Sequence, residues 1–186
     1  MEIYQPAEDS YFFADFLKNH LSTNYSLPQL PTSDNRQPTT DYLDMGAGSG
    51  ILSEIVSEFL DKKNILAVDI NSSAVKLLRQ KNINAIKSNL FEKVDGKFDL
   101  ITFNAPYLPL DSREPKSSRV ATTGGKRGDE ISLEFLKQAK KHLNKNGKIF
   151  LLISSLTPMD RLKKFKPKIV ARKKLFMEEL LILEFG

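Results

Sequence analysis

Two hydrophobic patterns alternate along the chain. Short apolar runs predict buried strands, and stretches in which apolar residues recur every three or four positions predict helices with one buried side. Together they place strands at 42–45, 64–68, 85–87, 98–103 and 148–153, and helices at 9–20, 49–60, 72–80 and 130–143. Strands that alternate with helices are typical of an α/β fold, so we predict a doubly wound sheet that is parallel in its main part.

The last part of the chain departs from this alternation. Residues 157–164 predict a short helix, and residues 168–176 and 178–185 predict two strands joined by a tight turn near Met177. Such a terminal hairpin places an antiparallel strand at or near one edge of the sheet.

Residues 22–40 show neither pattern. They are rich in Ser, Thr, Asn and Pro and have no helical or strand period, so we interpret them as an exposed connector. We expect residues 1–186 to form a single domain that contains this connector.

The composition narrows the class of protein. With 186 residues, of which 40% are hydrophobic and 27% charged, the chain is long enough for one domain with a hydrophobic core. No apolar run approaches the ~20 residues of a membrane span, so we expect no membrane partner. The chain has no cysteine and only two histidines. We therefore expect no disulfide, no metal site and a cytoplasmic location.

The most informative motif lies where the first strand ends. Asp44 is followed by glycines at alternate positions, Gly46, Gly48 and Gly50, and a second acid, Asp69, closes the next strand. The glycines permit a sharp turn and close approach of the backbone to a ligand. Asp44 can meet a cationic amine, and Asp69 can accept hydrogen bonds from two ribose hydroxyls.

This arrangement favours S-adenosylmethionine over a dinucleotide. A dinucleotide-binding turn reads G-x-G-x-x-G, whereas the spacing here is G-x-G-x-G. A carboxylate at Asp44 would repel a pyrophosphate and attract the ammonium group of a methionine moiety. We also expect Ile70 beside the cofactor and Asn89 and Leu90 around its adenine, although the stretch near Asn89 is equally typical of a plain loop.

A second motif, Asn104-Ala105-Pro106-Tyr107, follows the strand at 98–103. Pro106 keeps Ala105 out of the helical region, so backbone carbonyls there can face the ligand crevice. A planar NH2 group is a poor nucleophile, and two acceptors that grip its hydrogens orient it and favour charge on nitrogen. The Asn104 side-chain oxygen can be one acceptor, and the carbonyl of Ala105 or Pro106 the other. Tyr107 can lie against the flat target group.

These residues suit more than one substrate. A glutamine amide and an adenine amine both present a planar NH2 group, so an adenine N6-methyltransferase acting on RNA or DNA is an alternative to a glutamine-modifying enzyme. A non-catalytic nucleotide-binding module is a further hypothesis. The net charge is +5, and basic residues crowd residues 163–174. Such a segment fits RNA or an acidic protein surface, and a solvated lysine-rich face explains it as well.

With both motifs the chain resembles the HemK-type class I methyltransferases. It is most similar to their archaeal and eukaryotic branch, which methylates a glutamine in class 1 translation release factors. The family's Asn-Pro-Pro-Tyr motif corresponds to Asn104–Tyr107, and its glycine motif to Asp44–Gly50. Its N-terminal segment, Tyr-x-Pro-Ala-Glu-Asp-Thr/Ser, corresponds to Tyr4–Ser10. In the family the position of Ser10 lies near the cofactor.

The resemblance implies a Rossmann-like, seven-stranded sheet, S-adenosylmethionine as cofactor, and methyl transfer to the glutamine of a Gly-Gly-Gln loop. It implies a heterodimer with a small zinc-binding activator protein, which could add to an exposed strand such as 85–87. Residues 1–21 would lie on the cofactor and substrate side. Two positions depart from the family, because Ala105 replaces a proline and Asn89 stands where an acid is frequent.

A polar loop precedes the helix predicted at 130–143. It contains a glycine-rich stretch, Gly124–Gly128, that also resembles the family. We expect residues 108–128 to form a basic lid over the substrate, with charges supplied by Arg113, Lys116, Arg119, Lys126 and Arg127.

Overall fold

The computed structural model describes residues 3–24, 41–113, 115, 119 and 121–186. Its strands are β1 (Tyr42–Met45), β2 (Ile65–Asp69), β3 (Asn84–Lys87), β4 (Phe98–Asn104), β5 (Leu143–Ser154), β6 (Lys168–Lys174) and β7 (Glu179–Phe185). Its helices are α1 (Glu8–Asn24), α2 (Ile51–Val56), α3 (Ser72–Gln80) and α4 (Glu130–Ala139). Short 3-10 turns at Lys62–Asn64, Lys140–His142 and Leu162–Phe165 complete these elements.

All seven strands join one sheet in the order β3-β2-β1-β4-β5-β7-β6. Strands β1 to β5 run parallel, and β7 is antiparallel to both of its neighbours. The predicted doubly wound sheet with an antiparallel strand near one edge is therefore confirmed. Strand order reverses between β1 and β4, and ligands bind at such a switch point, beyond the carboxyl ends of the strands.

The sheet separates two hydrophobic clusters because alternate residues of each strand point to opposite faces. One face carries α1, α2 and α3, and includes the fully buried Phe13 and Leu17 of α1. The other face carries α4, whose Phe135 is fully buried against Phe103 of β4. Helix α1 thus packs in the same core as the strands it precedes.

The first helix differs from its predicted bounds. It begins at Glu8, so Asp9 and Ser10 lie in its first turn and do not cap it, and it continues to Asn24. Residues 22–24 therefore belong to the helix and not to the expected connector. The rest of that connector, residues 25–40, lies outside the described residues.

Three further helices differ from their predicted bounds. Helix α2 begins only at Ile51, because Gly50 before it has a left-handed backbone, and ends at Val56 instead of residue 60. Helix α4 ends at Ala139 instead of residue 143, and Asn146-Gly147, a sequence typical of a helix end, lies inside β5, whose Leu143 already pairs with Phe98. Sheet pairing overrides the local signal there. The helix expected at 157–164 is a 3-10 turn at Leu162–Phe165.

Two searches of the described residues found nothing. Among residues 3–24, 41–113, 115, 119 and 121–186, no helix has the length and apolar character needed to cross a membrane. Nor does that part of the chain bring three His, Cys, Asp or Glu side chains together as metal ligands.

Candidate active site at the carboxyl edge of the sheet

A cavity of about 580 Å³ opens where β1, β2, β3 and β4 end, a size typical of ligand sites. Its walls include every residue predicted to bind cofactor or substrate except Gly50. They are Ser10, Asp44, Gly46, Gly48, Asp69, Ile70, Asn89, Leu90, Asn104, Ala105, Pro106 and Tyr107. The two motifs, far apart in the sequence, therefore meet in one crevice at the switch point of the sheet.

The three glycines of the turn after β1 serve different purposes, although all have positive φ. A Cβ added at Gly46 would lie 2.8 Å from the ring of Phe103, and one at Gly50 would lie 2.7 Å from Leu78. Only Gly48 faces open space, where its nearest neighbour would be a backbone oxygen at 3.8 Å. Gly48 is thus the glycine that leaves room for a ligand, whereas Gly46 and Gly50 permit close internal packing.

Asp44 borders the cavity but is only 1% exposed. One of its carboxylate oxygens accepts hydrogen bonds from the Ser53 backbone N–H at 3.1 Å and the Ser53 hydroxyl at 2.6 Å. It therefore satisfies the first turn of α2, a structural role that the sequence analysis missed. Burial raises the pKa of Asp44 to about 7, against the opposing effect of the Ser53 hydrogen bonds.

Asp69 braces the glycine turn from the end of β2. Its Oδ2 accepts the Gly48 N–H at 2.8 Å, and its Oδ1 accepts the Asn71 N–H at 2.7 Å. Burial raises the pKa of Asp69, and these backbone hydrogen bonds oppose the rise. Each carboxylate oxygen has a second lone pair, so Asp69 can still accept a hydrogen bond from a ligand.

Ile70, expected beside the cofactor, and the two residues expected around its adenine, Asn89 and Leu90, differ in their surroundings. Ile70 is 45% exposed at the cavity wall, as an apolar contact for a ligand would be. Asn89 donates its side-chain amide to Glu92 at 2.7 Å. Leu90 has φ of 47°, a left-handed conformation that is uncommon for non-glycine residues and concentrates at functional sites.

Asn104 is held from one side only. Its Nδ2 donates to Asp9 Oδ2 at 3.1 Å and to Ser10 Oγ at 3.4 Å. Its Oδ1 is buried and has no hydrogen-bond partner among the residues that the structure describes. A buried acceptor without a donor is costly, so this oxygen is a strong candidate for a contact with a ligand.

The segment after Asn104 is fixed by the glycine-rich stretch before α4. A Cβ at Gly124 would lie 2.5 Å from the Pro106 carbonyl oxygen, and one at Gly128 would lie 2.5 Å from the Tyr107 carbonyl oxygen. Backbone hydrogen bonds from Leu108 N–H to Thr122 and from Gly124 N–H to Leu108 join the two segments. The glycines of 124–128, which resemble the family's glycine-containing stretch, thus permit this backbone contact.

The loop at 108–128 was expected to be a basic lid, but acids partly neutralise its positive charges. Arg113 pairs with Asp111 at 2.7 Å, and Arg127 pairs with Asp160 at 2.9 Å. Lys116 lies outside the described residues. The basic residues of 163–174 lie elsewhere, along and before the edge strand β6, where lysines discourage pairing with another strand.

Comparisons with known proteins identify the family of the chain. The family model described as "Methyltransferase small domain" matches residues 22–177. A Methanocaldococcus jannaschii protein, provisionally named a protein N5-glutamine methyltransferase, is 38% identical over 196 residues, covering 98% of this chain and 90% of that protein. A release factor glutamine methyltransferase of Lactococcus lactis is 28% identical over 140 residues, and the match covers 68% of this chain and 52% of that protein.

Among solved structures, the fold resembles that of the Thermus thermophilus 16S rRNA N2 G1207 methyltransferase, which was solved with AdoMet and guanosine. The TM-score is 0.62 at 18% identity, over 98% of this chain and 44% of that one. This likeness concerns the fold, whereas the family match covers most of the sequence. The chain belongs to the methyltransferase small domain family.

Proposed function

We propose that this protein is an S-adenosylmethionine-dependent N-methyltransferase that modifies the glutamine side-chain amide in the Gly-Gly-Gln loop of a class 1 translation release factor. The observation that carries the proposal is the buried Oδ1 of Asn104 at the wall of the cavity, which has no hydrogen-bond partner among the described residues. The names of the relatives from Methanocaldococcus jannaschii and Lactococcus lactis support the choice of a glutamine amide.

The cavity fits S-adenosylmethionine in size and in chemistry. Gly48 leaves space beside the turn, Asp44 can attract an amino group, and Asp69 retains lone pairs for ribose hydroxyls. Ile70 and Leu90 offer apolar contacts for a purine, with Asn89 beside them. When bound, the cofactor supplies a methyl group activated by a positive sulfur.

Residues of the β4 motif would orient the substrate. Asn104 Oδ1 accepts one hydrogen of the glutamine NH2, and we assign the other hydrogen to the Ala105 carbonyl, because the Pro106 carbonyl lies against Gly124. Holding both hydrogens fixes the nitrogen and stabilises the positive charge that develops on it.

Tyr107 completes the substrate side of the site. Burial, followed by the negative charges of Asp9 and Glu178, raises the pKa of its hydroxyl. The phenol therefore stays neutral at physiological pH. Its ring can lie against the planar amide. This is a van der Waals contact, and it involves no proton transfer.

The adenine alternative receives less support from the structure. Binding to nucleic acid depends on positive charge that meets phosphates, and two of the loop's arginines, Arg113 and Arg127, are already paired with acids. An enzyme acting on duplex DNA must also extrude its base, usually with a further recognition region.

The proposal extends to partners and location. A small zinc-binding activator protein could form a heterodimer by adding a strand to β3, which is a short edge strand of four residues. Residues 1–186 would act as one methyltransferase domain, because α1 buries Phe13 and Leu17 in the core that it shares with the sheet. Release factors act during translation, so the enzyme would be cytoplasmic.

A methyl-transfer assay with Asn104→Ala tests this function. The protein is offered labelled S-adenosylmethionine with release factor, RNA and DNA in parallel, with and without an activator protein. Release factor should be labelled at glutamine. Asn104→Ala should lower kcat at least ~10²-fold, as loss of one preorganised polar contact does, with cofactor Kd unchanged.

Asn19→Ala makes the same truncation at an exposed position of α1 and should keep full activity. Labelling of RNA or DNA instead of release factor, or normal turnover by Asn104→Ala, would contradict the proposal.

A further inference from the structure

The orientation of the Asn104 side chain depends on an acid from another element. An asparagine amide can turn by 180° about its last bond, which exchanges its oxygen and its NH2 group. In the opposite orientation Asn104 would present donors to the substrate NH2 group, and no hydrogen bond could form. Something must therefore select the orientation in which Oδ1 faces the cavity.

Asp9 is the group that can make this selection. It is only 6% exposed, and its Oδ2 accepts the Asn104 Nδ2–H at 3.1 Å across a separation of 95 residues. An ionised carboxylate accepts hydrogen bonds and cannot donate them, so it accommodates the NH2 group of Asn104 and rejects its oxygen.

Asp9 is itself held in place from two sides. Ser10 donates both its backbone N–H, at 2.7 Å, and its hydroxyl, at 3.3 Å, to Asp9 Oδ1. The Tyr4 hydroxyl donates to the two carboxylate oxygens at 3.2 and 3.3 Å. These donors satisfy the charge of Asp9 and fix the oxygen that meets Asn104.

A role in folding alone would explain less. An acid in the first turn of α1 stabilises the helix through the helix dipole, whichever way its side chain points. Glu8 already supplies such an acid. A positioning role also explains why the buried acid points across to β4 and meets the nitrogen of Asn104, whose oxygen has no described partner.

We propose that Asp9 is a positioning residue that acts through Asn104, by holding its amide so that Oδ1 faces the substrate nitrogen. This inference rests on the proposed function. It gives the segment Tyr4–Ser10 a chemical purpose beyond contact with the cofactor.

Comparison of Asp9→Asn with Asp15→Asn tests the inference kinetically. Asp15 lies exposed on the same helix, so the second variant makes the same chemical change without touching Asn104. An asparagine at position 9 can donate or accept, so both orientations of Asn104 become populated. We expect kcat to fall about tenfold in Asp9→Asn, with cofactor Kd and the KM for release factor within about twofold, and no change in Asp15→Asn.

A double-mutant cycle separates positioning from general damage. If Asp9 acts through Asn104, Asp9→Asn should cost no further activity once Asn104 is alanine. An equal loss in both backgrounds would overturn the inference. Should Asp9→Asn not fold, Tyr4→Phe removes only the hydroxyl that restrains Asp9. Tyr4→Phe should lower kcat by a smaller factor, about two- to fivefold, and this loss should likewise vanish when Asn104 is alanine.

Nuclear magnetic resonance gives a measurement that needs no substrate. The side-chain amide signals of Asn104, identified by their loss in Asn104→Ala, should move in Asp9→Asn and stay in place in Asp15→Asn. Signals that do not move in Asp9→Asn would overturn the inference alone. A wild-type enzyme without methyl transfer would overturn the proposed function while leaving this contact measurable.

Discussion

The two loops that meet at the cavity are built in opposite ways. The turn after β1 is satisfied from within, because Asp69 accepts the Gly48 N–H and Asp44 accepts the Ser53 N–H. The segment after β4 leaves the Asn104 oxygen without a described partner. A loop that only binds a ligand can have its own hydrogen bonds satisfied before the ligand arrives. A loop that orients a reacting group must keep a hydrogen-bond acceptor free for that group.

The largest expected effect concerns the rigidity of the β1 turn. Gly46→Ala places a methyl group 2.8 Å from Phe103 at a φ of 64°, and the buried ring has little room to move. Strain and overpacking together should lower the free energy of unfolding by about 3 kcal/mol and weaken cofactor binding. Urea unfolding and calorimetric titration measure the two effects.

Gly96→Ala is the matched control, because Gly96 also has positive φ but a Cβ there meets nothing within 4 Å. It should cost only about 1 kcal/mol of backbone strain and leave cofactor binding intact. Equal losses of stability in the two variants would show that contact with Phe103 does not constrain the turn.

A smaller effect is expected from the ionic support of the β4 segment. Arg161 donates through Nε to Asp129 at 2.7 Å, and Asp129 is fully buried next to Gly128. Arg161→Ala leaves that carboxylate without its cation. Because Arg161 is itself partly exposed and solvent can relax around the site, we expect a loss of about 2 kcal/mol in urea unfolding.

Arg172→Ala breaks an exposed ion pair, with Glu179 at 3.0 Å, and serves as its control. That variant should cost less than about 1 kcal/mol. A similar cost for both arginines would mean that burial of Asp129 adds nothing to the support of the loop.

The smallest effect is a pH dependence that originates in the β1 turn. Asp44 has its pKa raised from 3.8 to about 7, so the folded state binds its proton more tightly than the unfolded chain. Its contribution is therefore fully present below about pH 4 and is lost as pH rises towards 7. Asp69, whose pKa is also raised, acts in the same direction.

Urea unfolding of Asp44→Asn measures this contribution. Relative to that variant, the wild type should lose about 1–2 kcal/mol more stability between about pH 5 and pH 7. Asp15→Asn, an exposed change, should keep the wild-type slope. Identical slopes in wild type and Asp44→Asn would show that Asp44 stays ionised in the folded protein.

The sequence predicted the strands and the contents of the crevice well. Each predicted strand is present, and the central parallel strands β2 and β4 were the clearest, because buried strands of a parallel sheet are nearly continuous apolar runs. Asp44, Asp69 and Asn104 could be placed together since parallel strands that alternate with helices end at the same edge of the sheet.

The bounds of α3, Ser72–Gln80, agree with the predicted helix at 72–80, but the bounds of the other helices and the hydrogen-bond partners could not be predicted. The early start of β5 depends on pairing between Leu143 and Phe98, which are far apart in the sequence. The Ser53 donors that occupy Asp44, and the Asp9 carboxylate that meets Asn104, likewise depend on tertiary placement. Spacing reveals which residues approach the crevice, but it does not reveal which way their polar atoms face.

The walls of the cavity also have an optical consequence. The chain has five tyrosines and no tryptophan, so tyrosine dominates its ultraviolet emission. Two of these rings, Tyr4 and Tyr107, border the cavity, and burial raises the pKa of both hydroxyls, so neither is lost as phenolate at ordinary pH. Of the four tyrosines that the structure describes, two therefore border the ligand cavity, so ligand binding can be followed by intrinsic tyrosine fluorescence without an added dye.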